Sequence, residues 1–478
     1  MSEGRVLPQS VDYTKILPLA VESRSRRRSF FPTNGQSFSS SANNIIRIDI
    51  SASAFLDTKH SYLRFRFTNN SGQAMGFDYG GGQGIIRRLR IEQAGTVLSD
   101  CNHYNKLLSS IILPSQLGVD GNAHRSLTEA QRFASDSAAG NSMLPAPAAE
   151  VSGAIINTSA NGNLLIANAG TYTFCIPLVN GLLGTTQNKM VPLQLLGSSP
   201  LTIEIEIAPL LDVGSFAVAA PVAGTDYTID NVRYIAQLVE VGPEVDAQLR
   251  MVQEMSGGKL VLNGTDYTHF NGNIAANAQG NQVINVPARR KSLKSLFFVG
   301  ASTTYAAAGA GGAEHNFVYN LSYGGNFNMI DYQLKIGSVV YPPTPVDCQF
   351  QGAAVPFQRA EAVSELAKCW GTVSSAHGTG SLSTINAYTT DCLVAGMTIP
   401  AAAGAAAPTL KFAPFGLDLE AFQRTAIESG VNTASASLPI SLIINIGAAQ
   451  AEAINIDAYV SYDSLYYIDE TGSIRVSL

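Results

Sequence analysis

Apolar and polar residues alternate one for one in run after run of this chain. Ile46, Ile48 and Ile50 are interleaved with Arg47 and Asp49, and Leu63, Phe65 and Phe67 with Arg64 and Arg66. Leu201, Ile203, Ile205 and Ile207 are interleaved with Thr202, Glu204 and Glu206. Successive side chains of a strand point to opposite faces, so each run buries one face and wets the other. Further strands are expected over 292–300, 332–340, 439–446 and 454–462. Asn-Gly pairs at 34–35, 161–162, 180–181, 263–264 and 271–272 supply turn chemistry between them, because both residues tolerate positive φ. Many short strands with such breaks indicate an all-β chain of the sandwich class.

Helical signals are few and short. Thr128 and Gln131 form a capping box before 130–133. Pro243 suits a first helical position, with 244–255 continuing at helical spacing. Residues 358–370 carry Ala362, Val363, Leu366 and Trp370 on one stripe, and Asp418 is placed to cap a helix over 419–429 ended by Gly430.

Four segments recur in the same order in the two halves of the chain, which is the signature of an internal duplication. SYLRFRF (61–67) pairs with SLKSLFFV (292–299), and RLRIEQAGTVL from Arg88 with QLKIGSVVY from Gln333. LTIEIEI (201–207) pairs with PISLIINI (439–446), and VRYIAQLVEV (232–241) with AYVSYDSLYYI (458–468). A repeating unit with short strands and long Ala/Gly/Ser-rich loops suits an eight-stranded jelly roll. The expected organisation is therefore two tandem eight-stranded jelly rolls with a few short helices. Residues 1–29 form an N-terminal arm, 30–248 the first jelly roll and 249–478 the second, joined through 244–255. The candidate long loops are 116–168, 213–226, 301–315, 374–388 and 401–408.

Composition narrows the function. Hydrophobic residues are 46% of the 478, which excludes general disorder, while charged residues are only 14%, against about 25% in an average soluble domain. Such a deficit points to a surface largely covered by partner subunits. The net charge of −6 excludes a nucleic-acid-binding polycation. No apolar signal-peptide core opens the sequence, and no apolar run reaches the length of a membrane-spanning helix. Five scattered cysteines without CxxC spacing fit small core thiols in a reducing compartment.

No catalytic, metal or cofactor-binding residue is put forward. The glycine run at 80–84 leads into a strand, where a phosphate-binding loop needs GK[ST] and a helix; Gly257-Gly258-Lys259 is followed by Leu260. Cys101 and His103 lack a second ligand pair, and no GxSxG elbow singles out a serine.

FFPTNGQSFSSSANNIIRIDI (30–50), FLDTKHSYLRFRFT (55–68), FCIPLVNGLLG and KMVPLQLLGSSPLTIEIEIA within 174–208, VRYIAQLVEVGPEV (232–245), SGVNTASASLPISLIINI (429–446) and IDAYVSYDSLYYIDETGSIRV (456–476) together resemble the double jelly-roll major capsid proteins of double-stranded DNA viruses. This is the lineage of tectiviruses, adenoviruses and virophages, and the similarity is closest to the virophage and polinton-like virus branch. The resemblance implies a homotrimer whose six jelly rolls form a pseudo-hexagonal capsomer. Such capsomers tile an icosahedral virion shell together with minor capsid and penton proteins. Within that frame Arg24, Arg26, Arg27 and Arg28 read as an arm on the inner surface, touching packaged DNA without sequence preference. A solvated stretch or contacts to neighbouring carboxylates are the plain alternatives. A glycan-binding or attachment β-sandwich is the competing function, its aromatic-rich tail Tyr459–Tyr467 stacking on sugars; the period-two pattern of that tail favours a core strand instead.

Overall fold

A computed structural model describes residues 23–113 (except 74, 78 and 79), 128, 155–156, 165–185, 189–197, 199–216, 222–303, 321, 327–348, 360–370, 414–421, 429–435, 438–449 and 453–477. In chain order the first half contains β1 (Ser23–Phe30), β2 (Ser37–Phe38), β3 (Ile45–Ile50), β4 (Phe55–Asn70), β5 (Met75–Phe77), β6 (Ile86–Gln93), β7 (Thr96–Asn102), α1 (Tyr104–Leu107), β8 (Ile155–Ile156), β9 (Leu165–Ile166), β10 (Thr171–Ile176), β11 (Val191–Pro192), β12 (Leu201–Ile207), β13 (Gly214–Phe216) and β14 (Asp226–Val241). Helix α2 (Pro243–Met255) leads into the second half: β15 (Lys259–Ile274), β16 (Gly280–Asn285), β17 (Leu293–Ser302), β18 (Met329–Ile336), β19 (Val339–Asp347), α3 (Ala360–Trp370), β20 (Pro414–Asp418), β21 (Ile440–Ile446), β22 (Ile454–Asp469) and β23 (Ile474–Ser477).

Each half is a pair of antiparallel sheets. The first pairs β1-β14-β4-β10, extended by β2 and β11, with β3-β12-β6-β7; the second pairs β15-β22-β17-β20, extended by β23, with β16-β21-β18-β19. Apart from the β6–β7 and β18–β19 hairpins, the main strands cross successively between the two sheets of a half, and the two strand orders correspond member for member, so the fold is a double jelly roll. The four recurring segments occupy equivalent places: β4 with β17, the β6–β7 hairpin with the β18–β19 hairpin, β12 with β21, and β14 with β22. A smaller sheet, β13-β5-β9-β8, attaches to the first half.

The alternation read from sequence is the packing. In the first half Phe65, Phe67, Phe77, Phe174 and Tyr227 form an aromatic cluster, with neighbouring ring centroids 5.1–6.0 Å apart. Ile46, Ile48, Leu89, Ile91, Ile203 and Ile205 meet it from the facing sheet. The second half repeats this with Phe298, Tyr332 and Phe415. The expected stripe on α3 is its buried face: Ala362, Leu366 and Trp370 pack inward, and Trp370 stacks on Phe297 at 4.9 Å.

Several local expectations are corrected. Asn263-Gly264 and Asn271-Gly272 are not turns; both lie inside β15, which pairs with β22 along its whole length. Their glycines answer close approach: a Cβ on Gly264 would meet the Gly181 carbonyl oxygen at 2.7 Å, and one on Gly272 would run into Ile284. The single strand expected over 332–340 is a hairpin turning at Gly337, which has φ +60°. Residues 419–421 are not helical; the rest of that expected helix, the 130–133 helix, the Asn161-Gly162 turn and most of the long loops lie outside the described residues. Residues 23–29, assigned by sequence to the arm, form β1, and the expected division at 248/249 falls inside α2.

Candidate functional site

The basic run sits on β1, which pairs with β14 from Ser23↔Val241 to Phe30↔Tyr234 at a sheet edge. All four arginines are exposed. Arg26 Nη2 lies 2.6 Å from Glu240, the Arg28 guanidinium stacks over the Phe30 ring at 4.9 Å, and Arg27 lies 5.8 Å from the Tyr62 ring centre.

Charge concentrates on the outer face of β3-β12-β6-β7. There Arg47 contacts Glu204 at 2.5 Å and Glu92 at 3.7 Å, Arg90 reaches Glu92 at 3.4 Å and Glu204 at 3.7 Å, and Arg88 forks onto both oxygens of Asp100 at 2.7 and 2.5 Å. Alternating strands place these side chains in register, and cross-strand opposite charges stabilise such a face. Each of these arginines meets a carboxylate within the sheet, though the buried Arg90 Nε has no hydrogen-bond partner.

The two halves meet along a buried polar seam that sequence reasoning missed. Ser99 on β7 donates to Asp266 Oδ1 on β15 at 2.8 Å, and Asn180 donates to Ser99 at 2.6 Å. Gln93 holds the last strand by donating to the Gly472 carbonyl (2.8 Å) and accepting from the Ile474 N–H (2.7 Å). Lys106 on α1 lies 2.6 Å from Asp457 on β22, whose other oxygen meets His269 Nε2 at 2.8 Å. The Tyr459 hydroxyl donates to the His103 carbonyl at 3.0 Å, and the His103 and His269 rings lie 4.6 Å apart. Leu262, Phe297, Tyr459, Tyr466 and Ile468 of the second half share one apolar cluster with the core of the first.

Burial sets the electrostatics of this seam. Asp266 is fully buried and its carboxyl is pushed up to about 6, an effect Ser99 and the Tyr267 N–H partly offset; its Oδ2 has no hydrogen-bond partner. Burial, with His269 adding like-charge repulsion, pulls His103 down to about 4. Burial alone would raise Asp457, yet Lys106 and His269 hold it below the usual carboxylate range. The histidines look isolated in sequence, and nothing local announces that strand pairing will join them.

The remaining chemical candidates resolve into structure. Gly81–Ile85 is a buried turn beneath Phe174 and Ile176, and Gly257-Gly258 closes α2. Among the described residues no group of three His, Cys, Asp or Glu side chains is placed to hold a metal ion. Tyr459, Tyr462 and Tyr466 are buried in β22, so the aromatic tail is a core strand and not a sugar-stacking surface.

No family model and no curated protein matches the sequence. Solved structures do match over essentially the whole chain. PBCV-1 VP54, as fitted into a reconstruction of the virophage Sputnik, aligns with a TM-score of 0.56 at 10% identity, covering 98% of this chain and 99% of that one. The Faustovirus major capsid protein aligns with a TM-score of 0.56 at 8% identity over 97% and 92%. A chain of the Sputnik virophage structure aligns at 0.51 and 11% identity over 99% and 92%. With the strand order of both halves, these matches give the chain the double jelly-roll fold of viral major capsid proteins.

Proposed function

We propose that this chain is the major capsid protein of a double-stranded DNA virus, assembling as a homotrimeric, pseudo-hexagonal capsomer that tiles an icosahedral shell. The observation that carries the reading is the full-length double jelly roll, matched end to end by capsid proteins of viruses and virophages. Its chemistry is association and not turnover. The seam makes the two jelly rolls of one chain a single block, so each subunit presents a wide, fixed outline to its neighbours. Minor capsid and penton proteins complete the shell in this reading. Purified protein is expected at three times the 50.5 kDa chain mass by light scattering, with a hexagonal outline in negative stain. A stable, soluble monomer at micromolar concentration would overturn the proposal.

Arg24, Arg26, Arg27 and Arg28 are proposed to touch packaged DNA from the inner surface, supported by their exposure on an edge strand. Deleting residues 1–28 would also strip β1 from β14, so substitution is the cleaner test. Arg24→Gln with Arg27→Gln should make the salt dependence of duplex binding shallower by about 2 in log–log slope, since each lost phosphate contact removes roughly 0.9. An unchanged slope would remove these residues from any role with the genome.

A further inference from the structure

The same sheet of the same fold occurs twice in this chain, and its two outer faces differ in kind. On β3-β12-β6-β7 the outer face is the arginine–carboxylate lattice described above. On β16-β21-β18-β19 the corresponding central row is Val283, Ile443 and Gln333, in register across three strands. Asn281, Asn445 and Asp331 form the row on one side of it, with the Asn445 amide donating to Asp331 at 2.9 Å, and Asn285, Ser441 and Lys335 the row on the other. Val283 is 66% exposed.

We infer that this face of the second jelly roll, whose central row carries no charge, is a contact surface for a second copy of the chain. The inference rests on the capsomer reading and names one surface that closes it. The charged lattice shows how this fold builds an outer face that stands alone in water, with Glu92, Glu204 and Asp100 answered by arginines of the same sheet and Asp49 by Thr202. The second face has no such pairing along its centre. It offers Val283 and Ile443, with Gln333 turned onto the Pro342 carbonyl at 3.2 Å, and depletion of charge marks the centre of protein interfaces. Approach through the neighbouring edge is blocked, because β19 carries Pro342, Pro343 and Pro345 and proline refuses an added strand. The face and not the edge is therefore offered. Four strands about 4.8 Å apart and about 20 Å long give a patch of roughly 400 Å². That is about half of the roughly 800 Å² one partner contributes to a standard interface, so adjoining loops supply the rest. A three-fold ring requires a heterologous contact, so the face meets a different patch of the next copy.

Val283→Glu tests this, with Asn281→Lys as a second variant at a fully exposed position. Both should keep the wild-type far-UV spectrum and melting temperature of the subunit while the native mass falls from three chains toward one, at least a tenfold weakening of association at micromolar concentration. Trimers that persist in both variants would overturn the inference and leave the capsomer intact. So would dissociation by Met255→Glu on the exposed face of α2 where Val283→Glu has no effect. A wild-type chain that is itself monomeric would instead overturn the capsomer reading beneath it.

Discussion

Lys106→Met should destabilise the folded chain by about 3–5 kcal/mol, the range seen when one partner of a buried ion pair is removed. Lys106 and Asp457 are only 11% and 3% exposed in their side chains and are 2.6 Å apart. Methionine fills much the same volume, so the loss comes from stranding a carboxylate that water cannot reach. His269 stays bound to Asp457 and limits the damage without replacing an ammonium group. Adding Asp457→Asn in the Lys106→Met background should restore most of the loss, because the uncompensated charge disappears with the carboxylate. Denaturant unfolding reads both changes. A single variant within about 0.5 kcal/mol of wild type, the scatter of ordinary surface substitutions, would show that this pair does not hold the seam.

Asp266→Asn should do the opposite at neutral pH and raise stability. The folded-state carboxyl titrates at about 6 against an ordinary value of 3.8, and one unit is worth about 1.4 kcal/mol, so ionised Asp266 costs up to about 3 kcal/mol above pH 6. As pH falls through 6 the folded chain takes up a proton that the unfolded chain takes up only near 3.8, and wild-type stability is gained across that window. The asparagine variant lacks this gain, so its advantage should be largest at pH 7.5 and gone by pH 4. His103 runs against it. Its folded value of about 4 lies below the ordinary 6.5, so stability is lost as pH falls from 6.5 to 4, by about 1–2 kcal/mol once partial exposure is discounted. From these two groups the wild type should therefore gain about 1–2 kcal/mol as pH falls across this interval, while Asp266→Asn becomes clearly acid-sensitive. Melting temperatures from pH 4 to 7.5 decide the matter; parallel profiles for variant and wild type would contradict it.

The fold was legible because a jelly roll is written in local pattern. Period two places Phe65 and Ile203 on core faces whatever the rest of the chain does, and the repeated segments landed on equivalent strands because strand order preserves their sequence order. The Asn-Gly pairs misled for a physical reason. A glycine needed for a turn and a glycine needed to admit Gly181 or Ile284 carry the same letter, and only the packed neighbour distinguishes them. The seam was invisible for a related reason. Lys106 sits on a one-turn helix after β7 and Asp457 near the start of β22, and neither has a local signal naming the other. The basic run is plain in the sequence, but its pairing into an edge strand is masked by four arginines in eight residues, a composition that reads as solvated tail.

The clasp of Gln93 on Gly472 and Ile474 also fixes an order of events during synthesis. The first barrel is complete once β14 ends at Val241, and Ile474 follows about 230 residues later, so at about 5–20 residues per second the barrel waits roughly 12–47 s for the strand that covers its flank. Through that interval Ser99, Asn180 and the apolar residues beside them lack the packed second half that covers them in the finished fold. Newly made chains are then most prone to mispairing with one another. A helper that shields the flank of the first barrel until translation ends would raise the yield of folded chains without touching any contact in the finished fold.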